Sequence, residues 1–161
     1  MASNGFRGSR TKVFAKILCP VDFDQASGEA VEMASRLAEL QGSTVYLLHV
    51  VGAPRLDQIL LESPHPIMTE SVARTELKKF ASRHLESRIR YQLVVRTGDP
   101  AAMIVAAAEE FAVDLIVMAT HSGRELTRFL FGSVAERVIH DTRRPVLNLR
   151  PQRSNGQPKS P

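Results

Sequence analysis

Apolar positions along the chain follow two alternating rhythms. Val13 to Val21 is a short apolar run suited to a strand buried on both faces, and from Gln25 to Gln41 the spacing changes, with Ala26, Ala30, Met33, Ala34 and Leu37 on one helical stripe. Gly42 stands where a left-handed residue would end that helix. Ser43 to Val50 is rich in β-branched and aromatic residues and predicts a second strand. Residues 52–66 hold Gly52, Pro54, Pro64 and Pro66 and predict a loop, with room for a turn of helix in "LDQILLE".

The alternation then repeats. From about Met68 to Ser87 a second amphipathic helix places Ala73, Leu77, Phe80, Ala81 and His84 on one face; with no metal-ligating partner at the right spacing, His84 is read as a boundary residue. Tyr91 to Thr97 is a third strand. Asp99 and Pro100 suit the cap and first position of a helix that runs to about Ala112. "DLIVMA" is a fourth strand, Ser133 to about Arg143 a last helix, and "PVLNLR" a fifth strand. Strands alternating with helices predict an α/β fold: one open, mostly parallel five-stranded sheet with helices on both faces, joined by right-handed crossovers. In such a sheet ligands bind beyond the carboxyl ends of the strands, where the winding reverses. Asp22, Val50, Gly98 and residues 119–122 are therefore the positions to inspect, with Gly132 and Ser133 at the same rim.

Length and charge narrow the classes. At 161 residues the chain is one domain's worth, divided into a basic tail (1–12), a folded body (13–150) and a second tail (151–161). Six of its 21 basic residues lie in residues 1–12 and 150–161, which hold no acid; residues 13–149 keep 15 basic against 17 acidic groups. A mildly acidic body with solvated basic ends argues against nucleic acid as a partner. Cys19 is the sole cysteine and lies in an apolar run, so it predicts a core thiol and excludes an intrachain disulfide. With no apolar leader and no uncharged run long enough to span a bilayer, a cytoplasmic protein without membrane contact is expected.

The familiar engines are missing. The sequence has no G-x-x-x-x-G-K-[ST], no G-x-G-x-x-G and no H-E-x-x-H, which excludes the corresponding nucleoside triphosphatases, dinucleotide enzymes and zinc proteases. Ser133-Val134-Ala135-Glu136 has two readings: a capping box, which the local sequence favours, and an anion-binding helix N-terminus.

"KILCPVDFDQAS", "LLHVV", "TGDPAAMIVAAAEEFAVDLIVMATHS" and "FGSVAERVIHDTRRPVLNLR" together resemble the universal stress protein family, in order and spacing, over about residues 13–150. The resemblance implies a Rossmann-like fold of the adenine nucleotide alpha hydrolase type and a soluble homodimer formed through the last strand, Pro145 to Arg150. The family's nucleotide-binding members share a loop of the form G-x-x-G, nine residues, then G-[ST]. Here the matching positions are Ala119, Thr120, His121 and Ser122, then Gly123 to Phe131, then Gly132 and Ser133, so the spacing is kept and both leading glycines are replaced.

What the resemblance implies for binding is that Pro20, Val21 and Asp22 meet the adenosine and Val50 lies by the base. Met118, Ala119, His121 and Ser122 form the near side of the phosphate loop, and Gly132, Ser133 and Val134 supply phosphate-binding amides. Arg124, and less strongly Arg128, add candidate phosphate contacts. A side chain at Ser122, if the backbone there has φ > 0, costs on the order of 1–2 kcal/mol, which weakens a micromolar site without abolishing it. The expected ligand is ATP with Mg, held by a sensor or regulator and not by an enzyme with an assigned catalytic residue. Two alternatives stay open: a dimeric interaction protein of the same family that binds no nucleotide, and a weak ATP hydrolase drawing on Asp22, His121 and Ser133.

Overall fold

The computed structural model describes residues 12–52, 68–120 and 133–150. In chain order the described elements are β1 (Lys16–Pro20), α1 (Gln25–Gln41), β2 (Thr44–Val51), α2 (Glu70–His84), β3 (Arg90–Thr97), α3 (Pro100–Glu110), β4 (Leu115–Ala119), α4 (Ser133–Asp141) and β5 (Val146–Leu149). The strands form one sheet in the order β3-β2-β1-β4-β5, and all four pairings are parallel. The winding reverses between β1 and β4, as the alternation of elements predicts for an open sheet.

Side chains leave each strand on alternate faces, which divides the core in two. On one face Ile17, Cys19, Val45, Leu47 and Val117 pack under Ala30 and Ala34 of α1 and Leu77 and Phe80 of α2. On the other, Leu18, Leu48, Ile116 and Met118 pack under Ile104, Ala107 and Ala108 of α3 and Val138 of α4. Burial of Cys19 pushes its thiol pKa far up, so the core reading of that residue holds.

The helix ends follow local chemistry. Asp24 caps α1 by accepting from the Ser27 amide at 2.6 Å, and Gly42 ends it at φ 65°, a conformation that favours glycine. Asp99 caps α3 through the Ala102 amide at 3.0 Å with Pro100 following. Gly28 has a different reason to be glycine: a Cβ there would come within 2.7 Å of the His84 ring, so α1 and α2 approach closely at this point. His84 sits at that boundary, its Nδ1 3.1 Å from Glu32 Oε1.

Several bounds differ from the pattern. The run from Val13 predicts a strand, yet β1 begins at Lys16, because Val13 is 69% exposed and the Phe14 amide donates to Gln41 Oε1 at the end of α1. Lys12, counted with the tail by composition, donates its ammonium to the Gly42 carbonyl at 2.7 Å. The second helix stops at His84, three residues early, where the Glu86 amide turns to the Ser35 hydroxyl. The last stops at Asp141, and the Thr142 hydroxyl takes the Arg144 amide.

Candidate functional site

Pro20 opens the rim. In β1 the even positions bond toward β4, as the Asp114 amide to Lys16 oxygen contact shows, and the odd positions toward β2, as the Val21 amide to Leu48 oxygen contact shows. Pro20 therefore faces β4 without an N–H to offer. The consequence is visible in the register: β1 stays paired with β2 through Pro20, but with β4 the partners are Ile17 with Leu115 and Leu18 with Ile116 only. Ladder pairing with β4 thus stops at Leu18, two residues before the end of β1, and Asp22 follows that strand end.

The turn after β1 is tightly specified. Asp22 is exposed, and its Oδ1 accepts from the Ser27 hydroxyl at 2.6 Å and from the Asp24 amide at 3.3 Å; the same Ser27 oxygen accepts from the Asp22 amide at 3.2 Å. Phe23 lies at φ 70°, which costs a non-glycine residue about 1 kcal/mol and needs compensation from packing. Its ring lies 4.2 Å from the buried His49 ring and 5.7 Å, edge-on, from Phe80. His49 Nδ1 is 2.9 Å from the Val21 carbonyl.

The remaining predicted positions fall on the same rim. Val21 and Met118 are buried, while Pro20, Val50 and Ala119 are half-buried at their strand ends. The Thr120 amide continues the β4–β5 ladder by donating to Leu149 at 3.1 Å. Ser133 is exposed and Val134 half-buried at the start of α4. Arg137 Nη1 on α4 donates to Asp99 Oδ2 at 2.9 Å, and Asp99 directly follows β3 and Gly98, so the N-terminal half of α4 is tied to the carboxyl edge of the sheet. That hydrogen bond, aided by the Ala102 amide, holds the Asp99 carboxyl below its usual range, and the Arg137 guanidinium is raised in turn. At the far end Arg144 binds Glu109 of α3 through two nitrogens, at 3.3 and 2.8 Å.

α4 is described from Ser133 onward, and the residues before it, which bear on whether Ser133 caps the helix or lies in its first turn, fall outside the described residues. His121, Ser122, Arg124, Arg128 and Gly132, and the loop at 53–66, lie outside the described residues. Sequence reasoning also passed over Phe23 and His49; a lone histidine inside an apolar strand was the available signal for the second. Among the described residues no group of His, Cys, Asp and Glu could hold a metal, and no helix is long and apolar enough to cross a membrane.

The family profile described as "Universal stress protein family" matches residues 14–150. Universal stress protein MJ0531 of Methanocaldococcus jannaschii is 33% identical over 138 residues, which cover 84% of this chain and 81% of that protein. The solved structure of hypothetical protein MJ0577, from the same organism, superposes with a TM-score of 0.72 at 26% identity, over 88% of this chain and 99% of that one. The universal stress protein from Archaeoglobus fulgidus in complex with dAMP shares the fold, with a TM-score of 0.55 and 21% identity over 84% of this chain and 98% of that one.

Proposed function

The chain belongs to the universal stress protein family, and we propose that, as a stress-response protein of that family, it binds an adenine nucleotide, ATP by preference, at the carboxyl ends of β1 and β4. The observation that carries this is the end of β1–β4 ladder pairing at Leu18, with the exposed Asp22 just beyond the end of β1. The surroundings fit such a ligand. Val50 and Ala119 offer apolar surface for a base, the Asp22 carboxylate accepts hydrogen bonds from hydroxyl or amino groups, and the exposed first turn of α4 favours a negative charge. The Archaeoglobus fulgidus protein was solved in complex with dAMP, which supports an adenine nucleotide as the class of ligand.

Gly132, Ser133 and Val134 would supply the phosphate amides, with His121, Ser122 and Arg124 beside them. Magnesium would arrive with the phosphates and keep most of its water, since the described residues hold no ligand cluster of their own. The protein's part is to bind and orient; no residue here is assigned a catalytic step. Calorimetry of nucleotide-stripped protein with ATP and magnesium tests this: a saturable one-site heat with a micromolar dissociation constant is expected, and no heat at high micromolar concentrations would refute it.

A homodimer through Pro145 to Arg150 accompanies this function. Leu147 on β5 is 37% exposed and Ile139 on α4 is 41% exposed, and among the described residues β5 is an edge of the sheet and Asn148 Oδ1 is buried without a partner. An apolar edge of this kind is satisfied by antiparallel addition of a second copy. Light scattering should give twice the chain mass and fall to monomer for Leu147→Pro; an unchanged dimer would put the interface elsewhere. The same edge also serves the non-nucleotide interaction reading, which the calorimetric result separates from the first.

A further inference from the structure

We propose that His49 is a positioning residue for Asp22, acting through Val21 and Phe23 without touching the ligand. The inference rests on the assignment of Asp22 to the nucleotide site. It begins with the Val21 peptide, which β2 grips on both sides: its N–H donates to the Leu48 carbonyl at 2.9 Å, and its carbonyl lies 2.9 Å from His49 Nδ1. A carbonyl can only accept, so Nδ1 carries the proton and donates.

In a continued parallel ladder that carbonyl would take the Val50 amide; it takes the imidazole instead, and the chain leaves the sheet at this residue. The same ring lies against Phe23 at 4.2 Å with 31° between the planes, and Phe80 closes on Phe23 edge-on. Phe23 stays at φ 70° because its ring is held there. Asp22 lies between two residues that one buried side chain fixes, one by a hydrogen bond and the other by ring contact. His49 and Phe23 pack with the α1 and α2 face, as the Phe80 contact shows, so the imidazole works from behind the turn.

The test uses the full chain and two substitutions. His49→Asn keeps an amide donor near the place of Nδ1, whereas His49→Leu keeps bulk and removes the donor. Nitrogen-15 NMR of the wild-type imidazole should show the Nδ1-protonated tautomer. His49→Leu should shift the amide resonances of residues 22–24 and raise the ATP dissociation constant about tenfold, while His49→Asn stays within about threefold of wild type. Phe23→Leu, which removes the ring contact alone, should give an intermediate loss and serves if His49→Leu does not fold.

The Nε2-protonated tautomer, unmoved 22–24 resonances in folded His49→Leu, or equal losses in the Asn and Leu variants would each overturn the proposal. If wild-type protein binds no ATP, the nucleotide assignment fails by itself, and the tautomer with the 22–24 resonances still decides whether His49 holds the turn.

Discussion

Around Asp22 the chain is held by buried groups, and around Ser133 by exposed charges. The first region leans on the Val21 carbonyl bonded to His49 and on the Phe23, His49 and Phe80 rings, with Phe80 only 4% exposed. The second leans on Arg137 with Asp99, a pair whose side chains are 53% and 47% exposed. Buried packing and hydrogen bonds resist solvent and salt, whereas exposed pairs contribute little and are screened. The adenosine side of the rim is therefore fixed by the core. The start of α4, where phosphates would lie, is anchored by Ala135 and Val138 but steered by surface charge.

Substitutions can break this contrast, beginning with the largest effect. Phe80→Ala removes a buried ring that supports Phe23 and should cost about 3 kcal/mol in chemical denaturation. A cost below about 1 kcal/mol would show that the first region is not held by packing. Asp22→Ala should raise the ATP dissociation constant at least about tenfold, about 1.4 kcal/mol, because it deletes a charged acceptor just beyond the end of β1. Gly28→Ala places a methyl against the His84 ring, which must swing away and give up Glu32, and should cost about 1–2 kcal/mol.

The smallest effect belongs to the second region. Asp99→Asn keeps a good helix cap but loses the ion pair to Arg137, so it should lower the melting temperature only slightly, and less at high salt. The Asp99 carboxyl is held below its usual value in the folded chain, so its contribution is present above the unfolded carboxylate range and lost as pH falls through the folded value. The difference between wild type and Asp99→Asn should therefore close on acidification from neutral pH. A difference that persists below both carboxylate values would mean that the cap on α3, and not the ion pair to α4, accounts for the effect.

Much of the fold was legible because local chemistry and the global pattern agree. The α1 bounds follow from an apolar stripe between Asp24 and Gly42, and the start of α3 from Asp99 and Pro100. Where pattern and structure disagree, a neighbour decides: Val13 is as apolar as a strand residue, but the Phe14 amide beside it turns to the end of α1, and contact with β2 begins at Ala15. For the site, strand alternation places Asp22, Val50 and Ala119 at one rim, since topology alone brings parallel strand ends together. The roles of His49 and Phe23 were not legible. One depends on a bond between residues 28 apart in sequence and the other on a positive φ at a residue that rarely adopts it.

Amide shift mapping with ATP and magnesium on stripped protein tests the central claim most directly, since it reads where the ligand sits as well as whether it binds. The account predicts saturable shifts at residues 21–24, at Val50, at residues 118–120 and at Ser133 and Val134, with the far ends of the strands unmoved. Shifts confined to β5 and the exposed face of α4, or none at saturating nucleotide, would contradict it.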